Sequence, residues 1–191
     1  MTTSDPDRVH PETPAEWRAW LEEHHASSSG VWLVSWKKHT GRATVGYDGA
    51  VTEALAVGWV DSKGSKLDDD RTMLWFTRRR TTSGWSRPNK ERIERLLAEG
   101  RMGPAGQEAI DIAKENGTWS MLDDVENLVV PADLAAAFDL HQGARASWEA
   151  FPRSAKRSIL EWIVTAKRPE TRGARIAETA EKAGRGERAH Q

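Results

Sequence analysis

Thr72-Met73-Leu74-Trp75-Phe76-Thr77-Arg78-Arg79, then Thr81-Thr82-Ser83-Gly84, then Trp85-Ser86-Arg87-Pro88-Asn89 is the stretch on which the fold turns. Ahead of Ser83 the apolar residues alternate. Met73 and Trp75 fall on one side and Leu74 and Phe76 on the other, as in a strand. Behind Gly84 the spacing changes to that of a helix, with Ile93, Leu96 and Leu97 forming one apolar stripe. A chain that changes period once, near its middle, segregates its strands from its helices. That segregation predicts an α+β fold, with a small, mainly antiparallel sheet in the N-terminal half and a helical C-terminal half.

Upstream of this junction, Val31 to Trp36 is a dense apolar run too short for a helix, so residues 31–38 read as a strand covered on both faces. Ala43 to Tyr47 reads as its hairpin partner, and Trp59-Val60-Asp61 starts another strand. Residues 62–71 read as a loop or irregular hairpin. Two helices interrupt the strands. Thr13-Pro14-Ala15-Glu16 combines a capping Thr, Pro at the first helical position and Glu three residues after the cap. Asp48 can cap the second helix, which carries Val51, Ala54 and Leu55 and ends at Gly58. Downstream, helices are predicted over 104–116, after Pro131, over 144–150 and 154–167, and to about Ala183. The expected organisation is a loose N-terminus (1–12), an α+β domain (13–130), a helical module (131–183) and a loose tail (184–191).

Composition narrows function by exclusion. The chain of 191 residues has no cysteine, which removes disulfides, thiolate nucleophiles and cysteine-held metals. Net charge is −1, so no global basic field draws nucleic acid. Local basic runs remain: residues 78–101 hold eight Lys/Arg against three Glu, and residues 153–191 hold ten against five. Nucleic acid is therefore not the expected partner; weak binding through these two segments stays an alternative. No apolar run reaches the roughly 20 residues of a membrane span, and the polar, acidic N-terminus is no signal peptide. A cytoplasmic location is the expectation. The ten tryptophans, against one tyrosine and three phenylalanines, are spread along the chain and read mostly as core packing.

No phosphate-binding glycine loop, nucleophile elbow or zinc helix is present. His24 and His25 are adjacent and would diverge on a helix, so no metal or other cofactor is expected. Asp68-Asp69-Asp70 fits no calcium loop and reads as solvated. The segment from Trp59 to Asn89 is richer. A helix start near Ser86 exposes backbone N–H groups, three arginines (Arg78, Arg79, Arg80) precede it, and Trp85 offers a ring face. Lys37, Asp61, Arg79, Trp85, Ser86 and Asn89 are the candidate ligand-binding residues, expected to converge on a small anion. The competing reading is a helix cap, a structural Arg79–Asp61 pair and a core Trp85. An enzyme with Asp61 or Asp68 as general base is the alternative function; no catalytic residue can be assigned from motifs.

Several segments taken together carry a resemblance. They are Gly30-Val31-Trp32-Leu33 with Lys37-Lys38 and Gly41, then Ala54 to Ser62, Phe76-Thr77-Arg78-Arg79 and Ser83 to Asn89. Gly100-Arg101-Met102, Ala113-Lys114 with Trp119, Trp162-Ile163 with Ala166-Lys167, and Thr171-Arg172 with Arg175 follow in order. The series resembles the YdeI/OmpD-associated family of bacteriocin-protection proteins over roughly residues 12–183, with 130–183 similar to the family's helical module. The resemblance implies an association with envelope stress and tolerance of antimicrobial peptides, and implies no catalytic mechanism; the function expected is a binding protein for a small anionic ligand or a protein partner. Where the family tends to read Phe-Thr-Pro-Arg, this chain has Phe76-Thr77-Arg78-Arg79, which exchanges a proline for a charge.

Overall fold

The computed structural model describes residues 8–190. They divide into two compact units. The first contains the chain up to Ser83 together with Pro88–Trp119; the second contains Gly84–Arg87 together with the chain from Ser120 onward.

The first unit is built on a four-stranded sheet in the order β1-β2-β4-β3. These are β1 (Arg8–Val9), β2 (Val31–Trp36), β3 (Trp59–Lys66) and β4 (Arg71–Arg78). β1 runs parallel to β2, and the other pairings are antiparallel. The β2–β4 register places Trp32 opposite Trp75, Val34 opposite Met73 and Trp36 opposite Arg71. One face therefore carries Trp32, Val34, Trp36, Met73 and Trp75, and the other carries Val31, Leu33, Leu74 and Phe76. Helices α1 (Pro14–His24) and α2 (Tyr47–Ala56) cover the second face. Trp17 of α1 meets Phe76 at 5.3 Å between ring centroids, and its indole N–H donates to Ala50 O of α2 at 3.0 Å. The start of α1 follows its sequence: Thr13 Oγ1 accepts from Glu16 N at 3.2 Å, with Pro14 at the first helical position.

Two glycines set the return from α2. Gly58 has φ +75°, the left-handed conformation that ends a helix, and a Cβ there would lie 2.8 Å from Ala105 O. Gly106, in α4 (Pro104–Glu115), lets the carbonyl of Ala56 approach where a Cβ would collide. Helix α3 (Arg87–Ala98) precedes α4 and buries Ile93 and Leu96.

The second unit is helical: α5 (Asp123–Glu126), α6 (Ala132–Asp139), α7 (Ala144–Ala150), α8 (Arg153–Val164) and α9 (Pro169–Gly184). Its core gathers Leu134 and Phe138 of α6, Trp148 of α7, Ile159 and Ile163 of α8, and Ile176 and Ala180 of α9. Phe138 and Trp148 pack at 5.3 Å.

Several expectations change. Residues 43–46 form no strand; Tyr47 already belongs to α2, capped by Gly46 at φ +71°, and β2 finds its antiparallel partner in β4 instead. Asp48 consequently lies in the first turn rather than at the cap. The polar segment after Asp61 continues as β3, with an irregularity between Asp61 and Gly64. At the N-terminus, Arg8 and Val9 are paired strand residues, and residues 1–7 lie outside the described residues. Leu97 is half exposed, because α3 turns only Ile93 and Leu96 inward. The tail through His190 is anchored: Ala189 is buried, and His190 stacks on Trp162 at 5.0 Å.

Candidate functional site

The six candidate residues fall into three places. Lys37 follows β2, where its backbone N–H donates to Asp70 O and its ammonium donates to Asp68 O and Asp69 O at 2.8 and 2.9 Å. It closes the β3–β4 turn. Arg79 follows the opposite end of β4, its N–H on Gly58 O at 2.9 Å. The whole of β4 separates these two anchor points, nine residue steps from Asp70 to Arg79 and about 30 Å at the strand rise. Lys37 therefore does not join Arg79.

Trp85 and Ser86 belong to the second unit. Trp85 is 1 % exposed. Its ring is core, which corrects the expectation that it stacks on a ligand. Gly84 lies against Met121 and Leu122, where any Cβ would collide, and Arg87 donates to Asn127 Oδ1 at 2.6 Å. These contacts explain why segment 84–87 packs with the second unit rather than with the strand it follows.

Asp61, Arg79 and Asn89 remain, and they are linked by residues that sequence reading passed over. Tyr47 Oη donates to Asp61 Oδ2 at 3.1 Å. The Arg92 guanidinium lies 5.8 Å over the Tyr47 ring and donates to Asn89 Oδ1 at 3.1 Å. Arg92 also reaches Asp48 Oδ1 at 3.0 Å, while Arg95 reaches Asp48 Oδ2 at 3.1 Å. α2 thus presents Tyr47 and Asp48 in its first turn, α3 presents Asn89, Arg92 and Arg95 along one face, and β3 supplies Asp61. Spacings of three along α3 put its residues on that face.

Electrostatics distinguish the members. Burial raises the Tyr47 pKa, and the neighbouring Asp61 carboxylate raises it further, so the phenol stays a donor. Burial pulls Arg79 down to about 10, with Asp61 opposing; it remains a cation at neutral pH. Three guanidiniums and two carboxylates leave this cluster with a positive excess. Asp48 is 66 % exposed at its side chain while Arg92 is 12 % exposed. The carboxylate that joins the two arginines therefore sits on the solvent side of Arg92.

A separate cleft of about 570 Å³ lies in the same unit, lined by Thr13, Pro14, Arg18, Glu22, Glu53 and Arg101. Glu53 is buried and ion-paired to Arg18 at 3.3 Å and to Arg101. Arg18 also holds Glu22 at 2.6 Å and Arg101 O at 3.0 Å, and Arg101 holds Glu99 at 2.7 Å. Neither Glu53 nor Arg18 has a motif that marks it; only the acid's position on the buried stripe of α2 could have done so. Asp68, a candidate base in the sequence reading, accepts from Arg71 N and Nε at 2.6 and 2.7 Å. The Arg71 contacts hold its pKa below the usual carboxylate value and commit it to the turn.

In the second unit several basic residues are held in ion pairs: Arg157 with Glu126 and Glu161, Arg172 with Asp133, Lys182 with Glu178 and Arg185 with Glu181. Arg175 lies 5.0 Å over Trp162 and donates to that residue's carbonyl. Trp162, Arg172 and Arg175, part of the resemblance series, thus tie helices together. A cleft of about 550 Å³ beside α6 and α7 is lined by Phe138, His141, Arg145 and Glu149, with Arg145 paired to Asp139 at 2.8 Å. Among the described residues no group of His, Asp and Glu is disposed to hold a metal ion, and no helix is long and apolar enough to cross a membrane.

Comparison with known proteins divides the chain in a similar way. Residues 9–109 match a family described as Domain of unknown function (DUF8412), and residues 127–186 match Bacteriocin-protection, YdeI or OmpD-Associated. No curated protein and no solved structure matches the chain.

Proposed function

The chain belongs to the DUF8412 family through residues 9–109 and to the bacteriocin-protection, YdeI or OmpD-associated family through residues 127–186, and from that premise we propose that it is a binding protein for a small anion. The observation that carries this reading is the convergence of Arg92 and Arg95 on the exposed carboxylate of Asp48. A guanidinium pair gripping one carboxylate is already arranged for a ligand carboxylate or phosphate, which needs only to displace Asp48. The Tyr47 phenol, kept protonated, donates to Asp61 and lays its ring against the same arginine. Action in the cytoplasm and a part in tolerance of antimicrobial stress complete the proposal; the cysteine-free composition and the family's description support them.

The test is a thermal-shift titration with inorganic phosphate, a sugar phosphate, a nucleoside monophosphate and a dicarboxylate. A ligand at a hundred times its Kd stabilises by about 2.7 kcal/mol. At least one of these anions should raise the melting temperature of the wild type and not that of Arg92→Ala. Equal shifts in both proteins would remove the assignment. Fractionation and survival of a deletion strain under bacteriocin challenge test the cellular half.

Glu53 favours a second reading, an enzyme, because a buried carboxylate beside a cleft is the usual setting of an acid–base group. Its two arginine partners argue for a structural role instead.

A further inference from the structure

The sheet of the first unit has a second face, and the anion reading leaves it unused. α1 and α2 cover the Val31, Leu33 and Phe76 side. The opposite side carries a row of three indoles, Trp32 and Trp36 on β2 and Trp75 on β4, with Val34 and Met73 between them. Trp36, Met73 and Trp75 are partly exposed, while Trp32 and Val34 are buried. Trp32 and Trp75 meet edge to face at 5.2 Å, and Trp36 lies four residues along β2 from Trp32, about 13 Å at the strand rise.

Cations attend these rings. Lys63 is 5.6 Å from the Trp32 ring, Arg42 is 4.2 Å from the Trp36 ring, and Arg71 is 5.6 Å from the same ring. All lie within the roughly 6 Å reach of a cation–π contact. Arg71 shares its charge with Asp68. Among the described residues, neither Arg42 nor Lys63 is paired with a carboxylate, and both side chains are exposed. The three come from the loop after β2, from β3 and from β4, so only the fold assembles them.

At the Trp36 end there is a further oddity. His10 Nε2 and Trp36 Nε1 are buried without a hydrogen-bond partner, with ring centroids 4.8 Å apart. Burial, together with Arg71 and Arg42, lowers the His10 pKa, so the ring is neutral and keeps one accepting nitrogen.

We propose that this tryptophan face binds single-stranded nucleic acid, its bases stacked on the partly exposed indoles of Trp36 and Trp75 and its phosphates drawn by Arg42, Lys63 and Arg71. Charge complementarity selects this occupant. An apolar protein surface or a neutral sugar would use the rings but gain nothing from unpaired cations on them. A duplex would use the cations but keeps its bases stacked inside. The inference is independent of the Arg92–Asp48 site, which lies on other elements.

The experiment is a titration of the full chain with oligothymidylate, read by tryptophan fluorescence and by anisotropy of a labelled strand, at several salt concentrations. Expected are quenching on binding and a log–log salt slope near −2, since three phosphate contacts contribute about −0.7 each. Arg42→Glu and Lys63→Glu, both at exposed positions, should each weaken binding severalfold while leaving the melting temperature unchanged. Trp36→Ala should weaken it at least about fivefold, the lower range for one stacked base. Absence of quenching at low salt would overturn the proposal. So would equal affinity for a duplex of the same length, unchanged affinity in both charge reversals, or a salt-insensitive response to a neutral oligosaccharide in place of the strand.

Discussion

Replacing Glu53 by alanine should destabilise the first unit more than any other single removal of a charge in it. The carboxylate is 4 % exposed at its side chain and carries two guanidiniums, Arg18 at 3.3 Å and Arg101. Breaking a buried pair from one side costs about 3–5 kcal/mol because the remaining charge is stranded. Here the stranding is partial. Arg101 is 46 % exposed and keeps Glu99; Arg18 keeps Glu22 and the carbonyl of Arg101. Discounted for these, the expected loss is about 2–3 kcal/mol, or about 8–12 °C in melting temperature for a unit of this size. Glu53→Gln keeps the volume and one acceptor and should lose roughly half as much. Scanning calorimetry, with far-UV circular dichroism to confirm the fold at low temperature, measures both. If Glu53→Ala melts within a degree of the wild type, the carboxylate is not holding the two arginines in solution and the cleft's geometry is wrong.

Gly58→Ala must place a Cβ at φ +75° and 2.8 Å from Ala105 O, so it should cost at least about 1–2 kcal/mol from the left-handed backbone alone, read by urea denaturation. In the second unit the pKa values of Glu126 and Asp133 are depressed, chiefly by hydrogen bonds from Arg157 and Arg172. Below their ordinary pKa values the unfolded chain binds more protons than the folded one. The stabilisation is therefore complete at neutral pH, and it should drain away as pH falls from about 5 through the folded values. Glu126→Gln and Asp133→Asn, melted at pH 7 and at pH 3.5, should differ from the wild type mainly at pH 7.

The sheet was readable where packing follows period. The alternation from Met73 to Phe76, the dense run at Val31 and the cap at Thr13 all express local chemistry, and each became the expected element. The assumed strand at 43–47 failed because Gly46, not Asp48, starts α2, and a left-handed glycine cap leaves no periodic trace. The ten tryptophans were read as packing, which fits Trp17, Trp59, Trp85 and Trp148. Trp36 and Trp75 escaped that reading in part, because alternation places them on one face but cannot say that they stay partly exposed there. The candidate site was legible only in part. Asp61, Arg79 and Asn89 fall within reach of one network, but its links, Tyr47 and Arg92, lie on two helices whose approach no spacing reveals. Ser86 and Trp85 were grouped with Arg79 on nearness in sequence, whereas the chain leaves the first unit at Gly84 and returns at Pro88. Charge counting misled for a similar reason. In the basic runs at 78–101 and 153–191, Arg92, Arg95, Arg101, Arg157, Arg172 and Arg185 are spent on ion pairs, while among the described residues Arg42 and Lys63, outside both runs, are not.

The anion affinity of Asp48→Asn decides whether Arg92 and Arg95 form an anion site. Asp48 engages Arg92 and Arg95 at 3.0 and 3.1 Å from an exposed position, where each pair is worth about 0.2–1 kcal/mol. A ligand that no longer has to displace that carboxylate should bind roughly two- to thirtyfold more tightly by the same arithmetic. Calorimetric titration of Asp48→Asn and wild type, with the anion giving the largest thermal shift, should show tighter binding in the variant. Equal or weaker binding in Asp48→Asn, with its fold intact, would contradict the account.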